Sequence, residues 1–167
     1  MADEAAGESE LWREALRPGG ERERVAVFSP LGEERFALGL ETIYEGYLIH
    51  YGTPRLFAPV DPDTALLLGD YLYAHGLVRV ADADGVDSVA DLAELISLSA
   101  QVQAEGRDGD GSLWAATAAL LGTKRLDEAR SALRLRGDAG PLDALAREAA
   151  GPEAVEQALA THRSRLR

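Results

Sequence analysis

The sequence contains no cysteine. That excludes disulfides, thiolate metal sites and cysteine nucleophiles together. Aromatic residues are only 6% of the chain, and no apolar run approaches the roughly 20 residues a membrane-spanning helix needs. Positive charge is short: 17 Lys and Arg stand against 29 Asp and Glu, a formal net charge of −12. A surface this acidic repels phosphate backbones, so nucleic acid is not an expected partner. It also repels a free diphosphate unless a local basic cluster or a metal compensates. The Gly-x-Ser-x-Gly elbow and the phosphate-cradling glycine loop are both missing. The opening MADEAAGESE is acidic and lacks the basic-then-apolar layout of a secretion signal, so a cytoplasmic location and no membrane span are expected.

What is present is helical periodicity. With 167 residues and 46% hydrophobic content, the chain suits one domain with a sizeable core. Residues 3–16 pattern as an amphipathic helix stopped by Pro18-Gly19-Gly20. Residues 24–31 fit either an extended stretch or a helical turn broken by Pro30. From Glu33 to Tyr51, Phe36, Leu40, Ile43, Tyr44, Tyr47, Leu48 and Tyr51 recur at steps of three and four, one helical face. Residues 52–60 form a proline-containing connector. Asp61-Pro62-Asp63-Thr64 starts a helix that runs to about Val80, because Asp61 can accept from free N–H groups and Pro62 loses no bond in the first turn. ADADGVDS reads as a turn, with Asp87 or Ser88 capping a helix to about Ala104. GRDGDGS is a loop. Helices over 113–121 and 124–136 stop at Gly122 and Gly137, and Gly140-Pro141 and Gly151-Pro152 each open a final one. The expectation is an all-α bundle of six to eight helices: an N-terminal helix over 1–16, then a single helical domain over 17–167.

Candidate chemistry is sparse. Asp82, Asp84 and Asp87 fail the calcium-loop spacing, which needs an oxygen ligand and then glycine where Val86 and Asp87 fall. The run from Asp108 fails in the same way, so both clusters read as solvated turns and caps. His162 lies in a basic tail, THRSRLR, where cations suit a helix C-terminus and an acidic partner surface could also dock. Glu41 and Glu45, one helical turn apart with His50 beyond, are the one acid–base constellation. Paired helical carboxylates are usually solvated. Tyr44, Tyr47 and Tyr51 read as core or interface packing ahead of a ligand cage.

Four stretches taken in order resemble the trans-polyprenyl diphosphate synthases. PGGERER at 18–24 is similar to that family's Gly-Gly-Lys-Arg-x-Arg-Pro. GLETIYEGYLIHYGTP resembles the helix ending Leu-Ile-His-Asp-Asp and the later Gly-x-Pro. ALLLGDYLYAHGL resembles the Gly-Asp-Tyr-Leu helix. LAELISLSAQVQAEG with GSLWAATAALLG resembles the next two helices. The resemblance covers residues 17–122 and implies a shortened isoprenoid-synthase-like bundle. It also implies loss of chemistry. Magnesium wants clustered hard carboxylates, yet Ile49-His50 runs straight into Tyr51-Gly52-Thr53-Pro54, and neither Asp-rich motif has a counterpart. Glu21 stands where the family has a diphosphate-binding Lys, and Phe57 about where it has a His.

On that resemblance Arg22 and Arg24 are remnant diphosphate-site positions. His50, Tyr47 and Tyr51 are remnant cavity-facing positions, with no catalytic residue, no metal ligand and no cofactor, magnesium included. Asp70 has a structural role. The family's dimer-forming helices correspond to residues 64–80 and 88–104, so Leu68, Tyr71, Leu72, His75, Leu92 and Ile96 are the implied interface, with a second copy or a full-length synthase as partner. The expected function is a non-catalytic, dimer-forming or regulatory subunit in isoprenoid biosynthesis. The alternatives are a stand-alone binding module for an apolar ligand and a residual prenyl-diphosphate enzyme.

Overall fold

The computed structural model describes residues 1–166, apart from the side chain of Asp84. Arg167, which ends the basic tail and the 17–167 domain, and the Asp84 side chain weighed for calcium lie outside the described residues. Nine α-helices and no strand occur among them: α1 (Ala2–Glu8), α2 (Glu10–Ala15), α3 (Ala37–Tyr51), α4 (Pro62–Asp84), α5 (Val86–Ala104), α6 (Asp110–Ala119), α7 (Asp127–Arg136), α8 (Gly140–Ala150) and α9 (Pro152–Arg163). The all-α bundle expected from periodicity is the fold.

Caps explain some of the boundaries. Asp61 Oδ1 accepts from Thr64 N–H at 2.9 Å and starts α4 as its sequence implies. Gly137, at φ +68°, lets its N–H reach the Leu133 carbonyl and closes α7. Several boundaries differ from expectation. The expected GRDGDGS loop is shorter, because α6 starts at Asp110 and not at Leu113. The single helix over 3–16 is two, parted at Ser9, whose φ of −145° and ψ of 142° are extended. The ADADGVDS turn shrinks to one residue: α4 continues through Asp84, and Gly85 at φ +86° both ends it and starts α5. Neither Asp87 nor Ser88 is the cap; Asp87 instead pairs with Lys124 at 2.9 Å. Residues 24–31 are irregular until a short 3₁₀ turn at Ser29–Leu31.

Helices α3 and α4 form the most extensive pair, and glycine is the reason. The two run antiparallel so that Gly39 meets Gly76 and Gly46 meets Gly69. A methyl at Gly76 would sit 2.8 Å from the Gly39 carbonyl oxygen, and one at Gly46 would sit 2.8 Å from the Gly69 carbonyl oxygen. Backbone therefore meets backbone, and the flanking side chains interlock around it. Below this pair, α6 packs on α5, α8 and α9. The main core centres on Phe28, Tyr44, Tyr47 and Trp114, all fully buried. Burying a large apolar side chain contributes about 1.5–3 kcal/mol. A smaller cluster of Ala2, Ala5, Ala15, Ile49, Phe57, Leu68 and Leu72 lies on the α4 side beneath the N-terminal helices.

Two alanine substitutions separate contact from propensity. Gly76→Ala gains about 1 kcal/mol of helix propensity but overpacks the α3–α4 contact, so a net loss of about 1–2 kcal/mol is expected in urea unfolding. Gly7→Ala, in a helix with open space around the added methyl, is expected to stabilise by up to about 1 kcal/mol.

Candidate functional site

The two carboxylates of the acid–base constellation are both already engaged. Glu41 and Glu45 project from one face of α3 toward Arg55 in the following connector. Arg55 donates from one terminal nitrogen to Glu41 Oε2 at 2.5 Å and to the Val25 carbonyl at 2.6 Å, and from Nε to Glu45 Oε2 at 3.0 Å. The second oxygen of each carboxylate caps loop backbone. Glu41 Oε1 accepts from the N–H groups of Val27, Phe28 and Ser29 at 2.9, 3.0 and 2.9 Å. Glu45 Oε1 accepts from Leu56 N–H at 2.7 Å. Arg55 is 3% exposed and Glu45 0%. Burial alone would lower the Arg55 pKa, but the two carboxylates outweigh it and hold the guanidinium above its ordinary range. The reading of Glu41 and Glu45 as a solvated helical pair is therefore corrected: Glu45 is fully buried, Glu41 is partly buried, and both accept from backbone of two loops and bind them to α3. Neither has an oxygen free for a proton-transfer role.

A second buried network joins α3, α6 and α9. His162 is not a solvated tail residue; it is 1% exposed, with Nε2 at 3.0 Å from Asp110 Oδ2 and Nδ1 at 3.0 Å from the Tyr44 hydroxyl. The Tyr47 hydroxyl donates to the same Asp110 oxygen, and Gln103 donates to both at 2.7 and 3.1 Å. An ionised Asp110 can only accept, so His162 Nε2 carries a proton toward it, and the direction of the Tyr44–Nδ1 bond depends on whether Nδ1 is also protonated. Burial would raise the Asp110 pKa, but hydrogen bonds from His162 and Tyr47 hold the carboxyl below its ordinary value. Burial pushes the Tyr44 and Tyr47 phenols far above theirs, so neither ionises as a base at neutral pH. The site has the residue types of a catalytic relay but lines neither the 650 Å³ nor the 290 Å³ surface cavity described below; Phe28 and Trp114 close over it. Sequence reasoning missed this network because its members span residues 44 to 162. The one signal was Gly111, which leaves room for the His162 ring.

Open space lies elsewhere. A cleft of about 650 Å³ runs beside the end of α3 and the start of α4, lined by Arg17, Ile49, His50, Phe57 and Leu66 among others. Burial pushes the His50 pKa down, with Asp70 opposing it in part. His50 Nε2 lies 3.3 Å from Asp70 Oδ1 without hydrogen-bond geometry. Arg17 donates Nε to the Phe57 carbonyl at 3.1 Å and makes no ion pair among the described residues. Of the other cavity-facing candidates, Tyr47 is core and Tyr51 is half-buried against it.

Arg22 and Arg24 border a separate cavity of about 290 Å³. Arg22 pairs with Asp3 at 2.5 Å and donates to the Arg17 carbonyl at 2.6 Å, and Arg24 lies 3.7 Å from Asp3. They do not converge with His50. Among the described residues, no group of three or more His, Asp or Glu side chains is placed to hold a metal ion. None of the described helices is long and apolar enough to cross a membrane.

The implied interface residues divide. Leu68, Leu72 and Leu92 are fully buried within the single chain, so their apolar stripes are satisfied without a partner. Ile96 is partly buried against the main core, and Tyr71 and His75 are half-exposed with ring centroids 4.8 Å apart. The outer side of α4 carries exposed Leu66, Leu67 and Val78 instead.

Removing one member of a buried ion network leaves the others uncompensated. Arg55→Met is expected to cost about 3–5 kcal/mol in chemical unfolding. For Asp110 the folded pKa lies below the unfolded one, near 3.8, so its contribution is complete above that pH and is lost as pH falls through the folded value. Stability measured from pH 6 down to pH 2 is expected to fall, and Asp110→Asn to lessen that dependence. Compared with known proteins, the chain matches no family model, no curated protein and no solved structure.

Proposed function

We propose that this chain is a non-catalytic, polyprenyl-synthase-like helical protein that acts as a dimer-forming or regulatory subunit. The observation that supports it best is the state of Glu41 and Glu45. They are the two carboxylates of the helix after which a magnesium motif would stand, and both are committed to Arg55 and to four loop N–H groups. A helix that uses its carboxylates to hold loops has none left to clasp a metal–diphosphate cluster. What the chain retains is a rigid α3–α4 pair and an outer α4 side with exposed Leu66, Leu67 and Val78, features that suit holding another protein.

A second reading has its own observation. The 650 Å³ cleft combines an apolar wall of Ile49, Phe57 and Leu66 with Arg17 and His50 at its edge, a composition suited to an amphiphile with an apolar body. Such a binding module would need no metal.

The experiment is a thermal melt with and without millimolar magnesium and an allylic diphosphate. No shift in Tm and no diphosphate release are expected. A rise of several degrees that needs both additions would contradict the non-catalytic reading. Native mass spectrometry of the gently purified protein separates the remaining two: a co-purifying synthase supports the subunit, and a retained lipid-sized adduct supports the binding module.

A further inference from the structure

The N-terminal helix α1 carries three carboxylates, and each faces a basic side chain of the body. Asp3 pairs with Arg22 at 2.5 Å and lies 3.7 Å from Arg24. Glu4 pairs with Arg79. Glu8 lies 3.2 Å from His75 Nε2. The basic groups come from two distant stretches, residues 22–24 and the middle of α4, and they gather around an apolar floor that includes Leu68 and Leu72. In a chain with a net charge of −12, such a gathering of basic side chains is unusual, and an acidic helix is what covers it.

The cover is lightly fastened. Its apolar contribution to the cluster is Ala2 and Ala5, with Met1 against the edge. Asp3, Glu4 and Glu8 are themselves about half exposed or more, and exposed ion pairs hold little. A seven-residue helix has no stability of its own. Ser9, extended between α1 and α2, is a single-residue joint. The chain after it is better anchored: Trp12 packs on Tyr71 with centroids 5.5 Å apart, and Ala58 N–H donates to the Ala15 carbonyl at 2.7 Å. Release of residues 1–8 therefore disturbs little beyond them.

We propose that α1 is a built-in stand-in for an acidic amphipathic helix of a partner protein, and that the basic-rimmed face beneath it is the surface this partner binds after displacing the arm. The arm itself specifies the partner's chemistry: carboxylates spaced along one helix to meet Arg22, Arg24, Arg79 and His75, and apolar residues at the positions of Ala2 and Ala5. Larger side chains there reach the Leu68–Leu72 floor more fully. In its docked state the arm acts as a local competitor at high effective concentration. The inference rests on the arm's geometry and holds whether or not the chain is kin to prenyl synthases.

The probe is a fluorescent synthetic peptide of two tandem copies of residues 1–8, read by anisotropy. Its control carries lysine at each acidic position. Three proteins are compared: the full chain, the chain without residues 1–8, and full-length Asp3→Lys/Glu4→Lys, which keeps the arm but repels it. Both variants are expected to bind the acidic peptide at least about tenfold more tightly than the full chain, with affinity falling as salt rises. If the shortened chain does not fold, the double variant carries the test. Equal affinity for all three proteins, or equal binding of the lysine peptide, overturns the proposal. So does a full-length dimer that exchanges arms and ignores the peptide, because the occupant is then a second copy.

Discussion

Everything distinctive about this chain hangs on one buried arginine. Arg55 leaves an otherwise irregular connector, passes between α3 and the 22–31 segment, and is held by two carboxylates from successive turns of α3. A buried guanidinium is costly to desolvate and tolerable only with its hydrogen bonds met. Here the Val25 and Glu41 carbonyls complete the set, and the Tyr44 ring lies 5.0 Å beneath. Glu41 and Glu45 then turn their remaining oxygens on loop N–H groups. Two stretches with almost no regular structure are thereby fixed to one helix, and α3 in turn is seated on α4 through glycine. The same residues that would attract a mechanistic interpretation serve as the scaffold.

This arrangement shows why residue type alone misleads about function. Two glutamates a turn apart and a nearby histidine read as an acid–base set. Tyrosine, histidine and aspartate joined by hydrogen bonds at 3.0 Å read as a relay. Both are built: in the first, the carboxylates are taken up by Arg55 and backbone donors, although Glu41 and Arg55 also line the 290 Å³ cavity, and the second is closed over by Phe28 and Trp114. The raised Tyr44 and Tyr47 pKa values follow from burial, and the lowered Asp110 pKa from the hydrogen bonds it accepts. The two larger open spaces lie beside α3: one at its C-terminal end, the other along Leu38 and Glu41.

Much of the helical framework is legible in the sequence because local signals carry it. Asp61-Pro62 starts α4, Gly137 closes α7, Gly140-Pro141 and Gly151-Pro152 mark α8 and α9, and the Tyr44–Tyr47 face reads as packing. What escapes depends on partners far apart along the chain. Arg55 gives no signal, because a single arginine in a proline-bearing connector looks solvated until α3 is placed beside it. Gly39, Gly46, Gly69 and Gly76 repeat every seven residues within each helix, a spacing that acquires meaning only once the helices are antiparallel. His162 looks like a capping cation, yet Asp110 and Tyr44 draw it inward. The ADADGVDS stretch looks like a turn because acidic residues crowd a glycine, but only Gly85 needs to leave the helix.

Amide hydrogen exchange tests the scaffold reading most directly. Val27, Phe28, Ser29 and Leu56 donate to no helix or sheet ladder, so protection of their N–H groups reports on the Glu41 and Glu45 carboxylates alone. If those carboxylates are permanent fixtures, the four amides exchange as slowly as the middle of α3 and only on global unfolding. Exchange at the rate of free loop amides would show the carboxylates released from their loops and free for chemistry, and would contradict a scaffold role for both glutamates.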